Sequence, residues 1–175
     1  FHEYYAYPFY KGITEGGSRA FMAAYNSWNG IPMSIHPCLE EITRKQWGNN
    51  GIICTDGGAL KLLIEAHKSF PSFAEGAPAV VKATTGQFLD AYVPYVKEAL
   101  EKGLLTEVDI DKAIRGNIFV ALKLGLLDGD NSRNPYLSIG KNSTETPPFM
   151  TAEARRLARE VTAKSVVLLK NKKLL

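Results

Sequence analysis

The chain has 175 residues, of which 45% are hydrophobic and 22% charged, enough for one domain with a sizeable core. Its formal charge of +3 is small and scattered apart from Lys170-Asn171-Lys172-Lys173, which reads as a solvated tail, so no footprint for nucleic acid is present. No apolar run approaches the ~18 residues of a membrane helix. Cys38 and Cys54 have neither metal nor disulfide-framework spacing, and His2, His36 and His67 form no ligand pair, so no metal site is expected.

Taken in chain order, residues 2–16 predict a helix with an apolar stripe of Tyr5, Pro8, Phe9 and Ile13, kinked at Pro8 and closed by Gly16-Gly17. Phe21 to Tyr25 reads as a short buried strand, and Asn26 to Pro37 as a loop punctuated by Asn29-Gly30 and Pro32. Pro37 suits the first turn of a helix reaching Gln46. Ile52 to Thr55 are β-formers with almost nothing polar among them, as in a parallel strand buried on both faces. Helices are then expected over 58–69 and 74–84, with Pro78 disturbing the start of the second. A short strand follows at Gln87-Phe88-Leu89, then a helix over 92–102 closed by Gly103. Thr106 caps an amphipathic helix carrying Ile110, Ile114, Val120, Ala121 and Leu124, which Gly125 ends.

This alternation of strand and helix points to βα units on a parallel sheet. Three units are too few to close a barrel of eight. Asp128 to Phe149 is rich in Asp, Asn, Ser, Thr, Gly and Pro, and reads as a linker. Beyond it Thr151 caps a helix through Lys164, and Val166 to Leu169 again reads as a buried strand. One helix and one strand make no domain, so a second domain is expected to begin here and continue elsewhere. The opening Phe1-His2-Glu3, without an initiator methionine, leaves localisation open.

The stretch Gly51-Ile52-Ile53-Cys54-Thr55-Asp56-Gly57-Gly58-Ala59 carries the chemistry. Asp56 stands at the carboxyl end of a strand, where open α/β sheets and barrels collect catalytic groups. It can equally cap the next helix. Cys54, within the strand, is expected to be a packed thiol. Asp90 also ends a strand, and a capping role suffices for it. His36 and His67 are expected at the surface or at helix caps.

Several segments, in order, resemble glycoside hydrolase family three. They are Met22-Ala23-Ala24-Tyr25-Asn26 with Trp28-Asn29-Gly30-Ile31-Pro32, then Leu39, Arg44 and Trp47-Gly48, and the Asp56 stretch itself. Leu124-Gly125-Leu126-Leu127-Asp128 follows, and Ala158-Arg159-Glu160 with Ser165-Val166-Val167-Leu168-Leu169-Lys170-Asn171 completes the set. The resemblance implies an α/β protein whose residues 1–127 form the C-terminal half of a TIM-type (β/α) barrel. Residues 128–149 would link it to the start of an α/β sandwich at 150–175.

The implied activity is exo-acting, retaining hydrolysis of terminal β-linked glucose or xylose, with β-linked glucosides, xylosides or oligosaccharides as partners. Neither nucleic acid nor membrane is implied, and no cofactor, since two carboxyl groups suffice. The resemblance assigns the nucleophile to Asp56, and a strand rim would hold such a carboxylate rigid. Tyr25 is implied as its neighbour, donating a hydrogen bond to it, with Met22 on the same wall; a packed aromatic and a core methionine are the plain alternatives. Trp28 and Trp47 can stack on a sugar face, although Trp47 is better placed to pack structurally.

Two departures stand out. Gly57 occupies the place where many members carry tryptophan, and Thr85-Gly86-Gln87-Phe88-Leu89-Asp90 replaces the usual Ala-Gly-x-Asp strand. The acid/base glutamate and the residues gripping the first sugar are expected outside these 175 residues, in the missing portions of the two domains. Glu153 and Glu160 do not stand in for that glutamate. The alternative is an inactive truncated fragment, or a sugar-binding or partner-dependent module. The family resemblance is compatible with a secreted or periplasmic setting, and localisation stays open.

Overall fold

The computed structural model describes residues 1–129, 134–136, 139 and 146–172. The chain divides into two compact units, Phe1–Asp128 and Gly129–Leu175. The expected linker at 128–149 lies largely outside the described residues.

In the first unit α1 spans Tyr7–Thr14 rather than starting at residue 2. Pro8 explains the difference. In the first helical turn its missing N–H costs nothing, so the helix begins there and is not kinked. Only Ile13 of the expected stripe is buried in this helix; Phe9 is exposed, as is Tyr5 ahead of it.

β1 (Ala20–Ala23) runs parallel to β4 (Ile52–Thr55), pairing Ala20 with Ile52, Met22 with Cys54 and Ala23 with Thr55. The expected strand at 87–89 contracts to a single parallel bridge between Cys54 and Gln87. β2 (Ser27–Trp28) and β3 (Ile31–Pro32) form a separate antiparallel pair. The architecture is mixed α/β, and among the described residues no sheet is closed. The segment expected as an ordinary helix up to Gln46 is a π-helix, Leu39–Gln46, in which Trp47 N donates to the Ile42 carbonyl five residues back.

Four helices follow: α2 (Ala59–Glu65), α3 (Phe73–Lys82), α4 (Val93–Glu101) and α5 (Glu107–Lys123). Pro78 sits inside α3 instead of at its start. Thr106 and Asp109 form a reciprocal capping box for α5. α3 packs on α2 and α4, while α5 lies across α3 and β4. Leu60, Leu63, Ala77, Val80 and Tyr92 make one apolar cluster, and Val81, Ala99, Leu105 and Ala113 a second. Each large aliphatic buried there contributes ~1.5–3 kcal/mol.

The buried face of α5 is not the expected one. Ala113 and Gly116 are its buried residues, while Ile114 is exposed. The reason is proximity: a Cβ on Gly116 would meet the Gly51 carbonyl oxygen at 2.0 Å, so the helix rests directly on backbone. Gly86 plays the same part, its Cβ position lying 2.1 Å from the Ala113 carbonyl oxygen.

In the second unit a 3-10 turn, Pro148–Met150, precedes α6 (Ala152–Ser165), which Thr151 caps by accepting from Ala154 N. The strand expected at Val166 to Leu169 is absent: these four residues form no strand and are 61–93% exposed. An apolar run becomes a strand only beside a partner, and none is described here.

Candidate functional site

β4 was expected to be buried on both faces, but its burial alternates. Ile53 and Thr55 are 0% exposed, with Ile53 packed against Ala23 and Leu39, whereas Ile52 and Cys54 are half-buried. Pleat periodicity places Asp56 on the face of Ile52 and Cys54, at the carboxyl end of the strand. The Cys54 thiol is pushed up by burial first and then by the Asp56 charge beside it.

The Asp56 carboxylate turns back on its own loop, Oδ1 accepting from Gly57 N at 2.7 Å. Tyr25, just past the end of β1, donates its hydroxyl to the Gly57 carbonyl. The hydrogen bond expected from this hydroxyl to Asp56 is thus replaced by one to the Gly57 carbonyl. The hydroxyl lies against that carboxylate, but its donor is directed to the neighbouring carbonyl. Loss of solvent, then the hydrogen-bonding contact and charge of Asp56, then the charge of Asp90, hold Tyr25 above the ordinary tyrosine range. It therefore remains a protonated donor at neutral pH.

Tyr25 is held in turn by His67, whose Nε2 donates to the Tyr25 carbonyl at 2.9 Å. A carbonyl can only accept, which fixes the direction of that bond. Asp90 reaches the same loop from the other side. Its Oδ1 accepts from Gly58 N at 2.5 Å. Asp90 therefore caps α2, whose N-cap is Gly58, and does so from 32 residues away. Neither the His67 nor the Asp90 link has a local sequence signal.

Met22 pairs with Cys54 and is 49% exposed, so it is not a core methionine. It lines a cavity of about 460 Å³ walled by Phe1, Phe21, Trp28 and Trp47, and neither Asp56 nor Tyr25 takes part in that lining. The structure thus brings Tyr25 to Asp56 and places Met22 on the pair of strands leading to them.

Trp28 stacks with Phe1 at 3.9 Å and with His36 at 4.7 Å between ring centroids, so its ring is engaged in packing. Trp47 packs edge-on to Tyr10. His36, expected at the surface or a cap, is only 9% exposed. Its Nδ1 accepts from Cys38 N at 3.0 Å, and burial lowers its pKa.

Arg44 was noticed only as a motif residue. Its guanidinium donates to the carbonyls of Asn49, Gly51 and Thr84 and to Thr84 Oγ1, joining the start of β4 to the turn after α3. Burial lowers its pKa. Glu153 and Glu160 both pair with Arg156 on α6. Among the described residues no group of three or more His, Cys, Asp or Glu is arranged to hold a metal, and no helix is long and apolar enough to cross a membrane.

Residues 1–117 match the model of the glycosyl hydrolase family 3 N terminal domain, about two thirds of the chain. The chain belongs to glycosyl hydrolase family 3. Its relatives in family 3 include a probable beta-D-xylosidase 7 of Arabidopsis thaliana, 34% identical over 97% of this chain and 22% of the relative. A periplasmic beta-glucosidase of Salmonella typhimurium is 33% identical over 94% of this chain and 21% of its own length. Among solved structures, a beta-glucosidase from Listeria innocua superposes with a TM-score of 0.69 and 27% identity, over 96% of this chain and 23% of that one. The chain thus spans little more than a fifth of the proteins it matches.

Proposed function

We propose that this family 3 chain is the nucleophile-bearing part of a retaining β-glycosidase, with Asp56 as the nucleophile. The observation that carries the reading is the placement of Asp56. It stands at the carboxyl end of β4 on the face opposite the buried Ile53 and Thr55, with its carboxylate tethered to backbone and the Tyr25 hydroxyl alongside. A nucleophilic carboxylate has to be ionised, oriented and within reach of substrate, and this arrangement serves all three.

In the retaining reaction Asp56 attacks the anomeric carbon, the aglycone departs with a proton from a carboxylic acid, and a glycosyl ester forms. Water, deprotonated by the same second carboxylate, then attacks that carbon and releases the sugar and Asp56. The second group has to lie about 5–5.5 Å away on the other side of the scissile bond. Asp90 does not qualify, because Oδ1 is engaged with Gly58 N and Oδ2 is buried. On this reading the acid/base group comes from outside these 175 residues, as do the remaining strands of a TIM-type barrel whose C-terminal half is residues 1–127. Residues 150–175 open the α/β sandwich domain.

The names of the relatives, a probable β-xylosidase and a β-glucosidase, support terminal β-linked xylose or glucose as the substrate class. Gly57, without a side chain beside the nucleophile, leaves that side of the sugar open. In the full-length protein Asp56→Asn is expected to abolish turnover of aryl β-xylosides and β-glucosides while the fold is kept. Turnover at the wild-type rate would remove Asp56 from the mechanism.

A further inference from the structure

The Gly57-Gly58 turn that follows Asp56 is held at three atoms. Gly57 N donates to Asp56 Oδ1, the Gly57 carbonyl accepts from Tyr25, and Gly58 N donates to Asp90 Oδ1. The first bond is internal to the loop and travels with it. The Gly58 carbonyl also accepts from Leu62 N of the helix it opens, so among the described residues Tyr25 and Asp90 are the side chains that tie the turn to other elements, and Tyr25 is itself partly exposed.

Asp90 is the better-anchored tether. Leu89 N donates to Thr55 Oγ1 at 3.2 Å, and Thr55 N donates to the Gln87 carbonyl at 2.9 Å. Thr55 is fully buried and immediately precedes Asp56. The Ile53 carbonyl also accepts from Gly86 N and Gln87 N, so two residues of β4 fix where the 87–90 segment lies, and Asp90 at its end returns to fix the turn beyond Asp56. The turn needs that help. Gly58 sits at φ +78° with no side chain, so it cannot itself supply a side-chain cap to α2. The Asp90 bond to an amide is charge-assisted, about twice as strong as a neutral one. Asp90 Oδ2 is buried and finds no hydrogen-bond partner among the described residues, so Oδ1 is the oxygen that binds the turn.

We propose that Asp90 is a positioning residue, whose Oδ1–Gly58 N hydrogen bond fixes the Gly57-Gly58 turn and thereby aims the Asp56 carboxylate at the anomeric carbon. The inference rests on Asp56 being the nucleophile. A misplacement of about 1 Å costs on the order of 10²-fold in rate, which is the effect expected when the tether is lost.

The test is covalent labelling of the full-length protein with a 2-deoxy-2-fluoro β-glycoside bearing a good leaving group, followed by intact and peptide mass. The rate constant of labelling measures nucleophile placement, whereas a misfolded fraction lowers only the amplitude. Asp90→Ala is expected to slow labelling on the order of 10²-fold at near-full amplitude. Asp90→Asn keeps an acceptor for Gly58 N at about half the strength, and is expected to recover about tenfold of that loss. If Asp90→Ala does not fold, Asp90→Asn decides alone: about tenfold slower than wild type supports the proposal. Labelling of either variant at the wild-type rate, or of Asp90→Asn no faster than a folded Asp90→Ala, overturns it while leaving Asp56 in place. A wild-type adduct on a residue other than Asp56 removes both readings together.

Discussion

Alanine at Gly116 sets packing against helix propensity. A Cβ there would lie 2.0 Å from the Gly51 carbonyl oxygen and 2.6 Å from its carbon. Both are backbone atoms at the start of β4, so neither can rotate away, and α5 has to withdraw by about 1 Å or more to reach ordinary contact. Overpacking of this kind costs ~1–3 kcal/mol. Alanine recovers about 1 kcal/mol of helix propensity over glycine. The net loss is up to about 2 kcal/mol, or a fall in Tm of up to roughly 8 °C for a domain of this size.

Gly12 in α1 is the control, because a Cβ there meets nothing within 4 Å. Gly12→Ala is expected to gain up to about 1 kcal/mol and raise Tm by about 2–4 °C. Differential scanning calorimetry of the full-length protein, following the transition of the domain that carries α5, measures both signs. A Gly116→Ala that stabilises as Gly12→Ala does would mean that α5 does not rest on β4 at this distance. Because β4 carries Asp56, the destabilised variant should also lose kcat.

Further outcomes follow from the same geometry. Tyr25→Phe removes a hydrogen bond worth ~0.5–1.5 kcal/mol, so kcat should fall by up to about tenfold with KM little changed. Since Tyr25 is held above its ordinary pKa, the wild-type pH–rate profile should show no loss from its ionisation below pH 10. Burial pushes the Cys38 thiol up to about 11. That group favours the folded state fully below pH 9, its ordinary value, and loses the contribution as pH rises through about 11. Cys38 should accordingly resist alkylation at pH 9 until the chain unfolds; rapid native labelling would place it at the surface.

His36 has the opposite sign. Its folded pKa is lowered, so its contribution is present above pH 6.5 and fades as pH drops through the folded value. Urea unfolding should therefore show stability falling below pH 6.5, with a shallower slope in His36→Phe. The 175-residue chain expressed alone should not hydrolyse aryl β-xylosides or β-glucosides, and measurable turnover would place an acid/base group inside it.

The place of Asp56 at the end of a strand was legible because its signals are local: an apolar run, a carboxylate and two glycines in succession. The elements with strong local cues were legible as well, above all α5 with its Thr106 cap. What escaped the sequence is non-local. Asp90 and Gly58 stand 32 residues apart, and nothing in either neighbourhood announces their bond. Arg44 likewise gathers carbonyls from two separate turns. The stripe on α5 misled because its closest approach is made by Gly116, a residue that hydrophobic periodicity does not count. Val166 to Leu169 has the composition of a strand, but composition supplies no partner to pair with.

The most direct measurement is azide rescue of Asp56→Gly in the full-length protein, with an activated aryl β-xyloside or β-glucoside as substrate. If Asp56 is the nucleophile, azide attacks the anomeric carbon from the vacated side and yields the α-glycosyl azide while water alone gives almost no product. Wild-type hydrolysis by the variant, or the absence of an inverted azide product from a folded variant, would contradict the assignment.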